Sequence, residues 1–305
     1  MPTWLRAAAA GPQSLEDAAF TAAAALTTLD AVVRREEKGA GAWRQRLALT
    51  AAAAAAKRAG RVEDAAALRD ALLLTRPGDD VGPGGRMLLV WRKLASRPVE
   101  TLAGEAVLGE VGADLGSMID EEAAGRLGEE IKGIAAAHGN AAGAAADVIA
   151  MLERHGQRAA RDLGPWLADA IVAGRLGWPR AVPLLGAYPP PPTASDRLSP
   201  ADQRQAQPTS RQRIFAAYAR AALQAVDLAA ELSRRADHLL AVAPRLRAKG
   251  SDAVVEKLLS DEGVIASQEI AGMSDRGLRR LFDRLLELGA VRELSGRPTF
   301  RIYGL

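Results

Sequence analysis

The sequence contains no cysteine among its 305 residues. This absence excludes disulfides, thiolate metal sites and a cysteine nucleophile, and it favours a reducing compartment. Aromatic residues make up only 4% of the chain, whereas apolar residues make up 49%. Abundant alanine and leucine are typical of closely packed helices with small residues at their contacts. We therefore expect a mainly α-helical, soluble protein of the cytoplasm.

Long apolar runs are also lacking. Near the N-terminus, Arg6 is followed by four alanines, too few for the apolar core of a signal peptide. The most apolar tract, residues 51–56, lies between Arg46 and Lys57 and is far shorter than the roughly 18 uncharged residues that span a bilayer. We expect neither an export signal nor a membrane partner.

Motifs of enzymes are missing as well. The three histidines, His138, His155 and His238, have no metal-ligand spacing, and the chain has no catalytic serine elbow or dinucleotide fingerprint. The sequence therefore predicts a non-enzymatic protein with no cofactor, no metal and no catalytic residue.

A turn-rich stretch, residues 68–86, carries the one pattern that suggests an enzyme. Its paired Asp79 and Asp80 are candidates to hold a divalent cation, and its glycines precede a helix that is a candidate to receive an anion. The Gly-Lys-Ser/Thr of a phosphate loop is absent. We interpret the pair as a turn cap, with Arg69 or Arg86 as its ion-pair partner.

Proline marks the domain organisation. Prolines 189–192 open a Pro-, Ser- and Gln-rich stretch that cannot continue a helix. The length suggests two domains. The predicted units are an all-helical domain at 1–187, a Pro-rich linker at 188–209, a long connecting helix at 210–248 and a winged helix-turn-helix domain at 249–305.

The N-terminal helices are predicted from caps and periodicity. Ser14 and Asp17 form a capping-box pair at the start of a helix that ends at Arg35. Its core face carries Phe20, Leu26, Leu29 and Val33. Further helices are predicted at 43–59, 63–74, 83–95, 141–155, 165–173 and 211–242, the last of which is capped by Ser210. Ser117 and Asp120 are predicted to cap another helix, which follows them.

The C-terminal pattern differs in kind. Three short helices are predicted at 251–260, 264–272 and 274–288, followed by a β-hairpin formed by 291–294 and 299–303. No strand-like alternation precedes residue 290. Helix, helix, helix and hairpin is the order of a winged helix with a small β-hairpin wing.

The third of these helices is predicted to bind DNA. Leu278, Leu281, Phe282 and Leu285 form its core face, whereas arginines recur on another side. The alternative is a solvated face, because residues 249–305 contain nine basic and nine acidic residues and Arg279 can pair with Asp283. The predicted DNA contacts are Arg276, Arg279, Arg280 and Arg284 on the helix and Arg297 and Arg301 on the wing.

Several stretches resemble a known bacterial family. They are residues 43–47, 68–86, 166–178, 233–250 and 282–305, of which 289–305 is the most specific. Through these stretches the chain resembles the family catalogued as domain of unknown function 1403. Its ending also resembles the wings of bacterial winged-helix regulators. The resemblance implies a proteobacterial cytosolic protein and transfers no catalytic residue. The run of prolines at 189–192 departs from it.

Three functions remain open at this point. The leading hypothesis is a nucleic-acid-associated protein whose winged helix contacts double-stranded DNA, while the helical domain binds a protein partner or self-associates. The second is an interaction scaffold whose winged helix docks onto a protein, as in chromosome or plasmid maintenance. The third is an enzyme that uses Asp79 and Asp80.

Overall fold

A computed structural model describes residues 2–305 except 12, 77, 117–120, 138, 191–208, 247, 249, 268–269, 271–272 and 298, and, for 121 and 157–162, the backbone alone. Most of the predicted linker and the predicted caps Ser117 and Asp120 thus lie outside the described residues. Within them, the prediction of a mainly helical chain is confirmed. The elements are α1 (Thr3–Ala10), α2 (Leu15–Arg35), α3 (Ala40–Arg58), α4 (Ala65–Leu73), α5 (Gly82–Ser96), α6 (Glu105–Asp114), α7 (Glu121–Ala136), α8 (Ala141–His155), α9 (Gln157–Arg175), α10 (Ser210–Val242), α11 (Ser251–Ser260), β1 (Val264–Ile265), α12 (Asp275–Glu287), β2 (Arg292–Glu293) and β3 (Ile302–Gly304).

Side-chain caps fix the starts of the two longest helices. Ser14 Oγ accepts a hydrogen bond from Asp17 N at 3.1 Å, and the Asp17 carboxylate accepts one from Ser14 N at 3.4 Å, so the predicted capping box is confirmed. For α10 the prediction was wrong by one residue. Thr209, not Ser210, is the cap. Its hydroxyl accepts a hydrogen bond from Gln212 N, and the Gln212 side chain accepts one from Thr209 N.

The long helix α10 is a central packing element. It lies chiefly against α2 and α8. Trp43 of α3 donates its indole N–H to the Ala225 carbonyl oxygen at 2.9 Å, which joins α3 to the middle of α10. One cluster of buried apolar residues extends from Leu5 to Leu305. The division into domains at 188–209 and 249 stays a prediction. None of the helices in the described residues has the length and apolar character needed to cross a membrane.

The predicted core face of α2 is wrong at one position. Leu26, Leu29 and Val33 are buried, but Phe20 is 64% exposed. The buried side of the helix runs through small residues such as Ala18, and Phe20 lies two residues, about 200°, around the helix from it. Small residues let α10 approach closely and leave the phenylalanine outside.

Three short strands form one antiparallel sheet at the C-terminal end of the chain. Its strand order is β1-β3-β2, with Val264 opposite Tyr303 and Arg292 opposite Gly304. The predicted helix at 264–272 is therefore wrong over 264–267, where the chain forms β1 and a turn, and a strand does precede residue 290. The β-branched pair Val264 and Ile265 suits the sheet edge better than a helix.

Candidate nucleic-acid interface

The two faces of α12 differ sharply. Ser274 starts the helix by accepting a hydrogen bond from Gly277 N at 3.2 Å. The predicted stripe is buried, and the Phe282 ring stacks on Tyr303 of β3 with centroids 4.3 Å apart. This packing turns the opposite face toward solvent, where four arginines are exposed: Arg276, Arg279, Arg280 and Arg284.

Most of these arginines are uncompensated. Among the residues that the structure describes, no carboxylate lies within 4.0 Å of the guanidinium group of Arg276, Arg279 or Arg280, and the Arg279–Asp283 pair of the alternative interpretation does not form. Arg284 lies 3.0 Å from Glu287, but both side chains are more than half exposed. Such surface pairs contribute about 0–1 kcal/mol, so Arg284 is available to another anion.

The two arginines of the predicted wing have different surroundings. Arg297 reaches back to α4, where its Nη2 lies 2.7 Å from Oδ2 of the nearly buried Asp70. Arg301 stays exposed with its Nε 3.7 Å from Glu293 Oε2. A hydrogen bond with Tyr303 and the charge of Glu293 raise the pKa of Arg301. The structure thus brings Arg301, but not Arg297, close to α12.

Arg279 and Arg301 both line a groove of about 380 Å³ between α12 and β3. We call it the α12–β3 groove. Its other lining residues include Ser267 after β1, Asp283 of α12, and Thr299, Phe300 and Tyr303.

A second basic groove was missed by sequence reasoning. Arg234 and Arg235 of α10, His238 and Arg292 line a space of about 470 Å³ beside the end of α12. Glu231 pairs with Arg235. Arg292 lies more than fifty residues after Arg234 and Arg235 in the chain, so no local pattern predicts that it meets them.

A family match covers the whole chain. Residues 1–305 match the family described as protein of unknown function (DUF1403). The chain belongs to this family. The resemblance to this family noted from the sequence is thereby confirmed, whereas the resemblance of the ending to winged-helix regulators stays a prediction. A search of curated proteins found no match to the chain.

In this DUF1403 protein, a buried ion-pair cluster ties the sheet to the N-terminal helices. Glu262 Oε1 lies 3.4 Å from Arg69 Nη1 and 3.8 Å from Arg46 Nε. Arg69 Nη2 also donates to the Leu294 carbonyl oxygen at 2.6 Å. Burial raises the pKa of Glu262, while the charges of Arg46 and Arg69 oppose this rise. We call these residues, together with Asp70 and Arg297, the Glu262 cluster.

The paired aspartates have the geometry of a turn. Asp80 Oδ1 accepts a hydrogen bond from Gly82 N at 2.9 Å and lies 2.7 Å from Arg86 Nη1. The bond from Gly82 and the charge of Arg86 lower the pKa of Asp80. Arg86 is therefore the partner, and Arg69 belongs to the Glu262 cluster.

The described histidines contact single protein groups. His155 Nε2 lies 2.8 Å from Glu130 Oε1, and His238 Nε2 lies 3.0 Å from the Leu288 carbonyl oxygen. His138 lies outside the described residues. Across the described ranges, no group of three or more potential ligands is arranged to hold a metal ion.

Asp169 is a buried acid that sequence reasoning did not single out. Its carboxylate accepts hydrogen bonds from the backbone N–H groups of Leu184, Leu185 and Gly186 at 2.8–3.1 Å and from the Tyr218 hydroxyl at 3.1 Å. Burial raises its pKa from 3.8 to about 7, although all four donors favour the charged form. Because it sits inside the protein with every oxygen occupied, we assign it a structural role.

Proposed function

We propose that this protein is a non-enzymatic, cytoplasmic, nucleic-acid-associated protein that binds double-stranded DNA through a winged helix formed by α11, α12 and the three strands. The observation that carries the proposal is the row of arginines on α12. They occupy the solvent face of a helix whose other face is locked into the core, and three have no described ion-pair partner. A row of exposed guanidinium groups on one face of a packed helix suits the phosphates and base edges of a duplex.

The sheet topology supports the winged-helix part of the proposal. β1 follows α11, and α12 directly precedes the hairpin of β2 and β3. The stack of Tyr303 of β3 on Phe282 of α12 brings this hairpin against α12, and a wing likewise lies beside a recognition helix. DNA lying along α12 would then meet Arg301 on the hairpin side.

Two further features refine the contact surface. The second basic groove continues the positive charge past the end of α12 through Arg234 and Arg292, which suits phosphate contacts. Arg297 is held by Asp70, so we assign it to DNA only when that ion pair opens. The direct contacts proposed are Arg276, Arg279, Arg280, Arg284 and Arg301.

Salt-dependent binding tests the proposal. In fluorescence anisotropy with a labelled duplex, the triple change Arg276→Ala, Arg280→Ala and Arg284→Ala should weaken binding to all sequences. Each lost phosphate contact should reduce the slope of log K against log salt by about one. A control of equal charge replaces three arginines of other helices, Arg35, Arg126 and Arg154, with alanine and should retain the wild-type slope. Absence of binding at low salt, or equal slopes for both triples, would contradict the proposal.

An exposed aromatic pair favours the scaffold as a second candidate. Trp4 is 51% and Phe20 is 64% exposed, and their rings lie 6.0 Å apart. Exposed apolar patches often mark protein interfaces. If the scaffold function holds, Trp4→Ala with Phe20→Ala should remove a co-purifying protein while DNA binding stays unchanged, and an unchanged set of co-purifying proteins would count against it.

A further inference from the structure

Phe300 combines two unfavourable features. Its side chain is 65% exposed, so it gains little from burial. Its φ of 55° lies in the left-handed region, which is unusual for a bulky residue without a glycine's freedom. Exposed and strained residues that persist in a folded protein point to a functional role.

The surroundings of Phe300 are suited to a particular ligand. In the α12–β3 groove, the phenylalanine lies with Arg279 on the helix side and Arg301 on the strand side. Tyr303 lines the same groove and is held by its stack on Phe282. An apolar ring that shares a groove with two guanidinium groups complements a flat apolar group that carries anions beside it.

We propose that the α12–β3 groove binds one unpaired base of a nucleic acid, with Phe300 stacked on the base and Arg279 and Arg301 contacting the flanking phosphates. This inference rests on the proposed DNA binding and specifies a preference within it. Stacking on an aromatic side chain is sequence-tolerant, so the preference is for an unpaired base of any identity.

The charge of the groove favours a nucleotide over a peptide. A peptide would need an acidic residue on either side of its apolar anchor to satisfy both arginines, whereas every nucleotide step supplies a phosphate on each side of its base. Among the described residues that line the groove, Asp283 is an acid, and Glu293 forms an ion pair with Arg301.

Two DNA probes test the inference with the full chain. One is a blunt duplex, and the other is the same duplex with a short single-stranded extension that contains 2-aminopurine. The wild type should bind the extended probe about tenfold more tightly, within the range of about 5- to 150-fold expected for one stacked base, and should quench the 2-aminopurine fluorescence. Phe300→Ala should abolish both effects and leave the salt slope unchanged, because no charge is lost. Phe20→Ala, which removes an equally exposed phenylalanine of α2 that does not line the groove, should retain both.

A third variant separates binding from folding. Phe300→Gly should relieve the left-handed backbone, so its thermal midpoint should equal or exceed that of the wild type while the preference is lost. If the wild type binds both probes equally, or Phe300→Ala still quenches the fluorescence, the inference is wrong and the proposed function stands. If the wild type binds neither probe, the proposed function fails and this inference fails with it.

Discussion

At the residue scale, the segment around residues 184–186 depends on one acid and one glycine. Asp169 receives the three backbone N–H groups of this segment. A Cβ added to Gly186 would lie 2.1 Å from the ring of the buried Trp91. The segment can therefore reach the carboxylate only because residue 186 has no side chain.

Gly186→Ala should destabilise the protein by about 3 kcal/mol or more, because the tryptophan ring must move in a filled core. The measurement is the free energy of unfolding in urea. Gly133→Ala is the control, since a Cβ there meets no heavy atom within 4 Å. That change should stabilise the helix α7 by about 0.5–1 kcal/mol. Equal effects of the two substitutions would refute this packing.

Asp169→Asn should cost about 2 kcal/mol or more at pH 8, because the amide nitrogen cannot accept the hydrogen bonds that one carboxylate oxygen accepts. The pH dependence gives a second test. The folded pKa is about 7 and the ordinary value is 3.8. Between these values the folded state keeps a proton that the unfolded state releases, so the free energy of unfolding falls as pH rises. The asparagine variant should lack this component. A wild-type stability that rises across this window relative to the variant would show that the pKa is lowered instead.

At the element scale, the segment from α11 to β3 is joined to α3 and α4 by a close approach of backbones and by ion pairs. A Cβ at Gly41 of α3 would lie 2.7 Å from the Ser260 Cα atom at the end of α11. The Glu262 cluster then connects α3 and α4 to the loop before β1 and to the residues after β2. These contacts hold α11 and the sheet to α3 and α4, and α12 packs on that sheet through the stack of Phe282 on Tyr303.

Glu262→Gln should lower the free energy of unfolding by about 2–3 kcal/mol, because the buried Arg69 and the partly buried Arg46 lose their counter-charge. Glu287→Gln is the matched control. Its carboxylate pairs with Arg284 on the surface, and its removal should change stability by about 0.5 kcal/mol or less. If both variants unfold at the same urea concentration, the Glu262 cluster contributes no net stability.

Helices with strong local signals were predictable, whereas weak or non-local features were not. The helices predicted at 141–155 and 251–260 coincide with α8 and α11, because a cap or a clear apolar stripe defines each of them. The helices α1 and α6 were missed, since alanine and glycine give little periodicity. β1 was assigned to a helix because two residues carry no alternation, and its pairing partner lies almost forty residues later.

At the scale of the whole molecule, charge distribution and packing bear on function together. The arginine face of α12 was predictable, because it follows from one helical period. The α12–β3 groove, the second basic groove and the Asp70–Arg297 pair were not, because each joins distant parts of the chain. The N-terminal helices thus contribute the Asp70 side of an ion pair with Arg297 to the proposed DNA-binding unit.

Site-specific photo-crosslinking tests the central claim most directly. A benzoylphenylalanine at position 283 replaces an exposed acid on α12 and leaves all its arginines in place. Irradiation with a labelled duplex at low salt should link the protein to DNA. The same group at position 252, an exposed aspartate on α11, should give no cross-link. Efficient cross-linking from position 252 with none from position 283 would contradict DNA contact through α12.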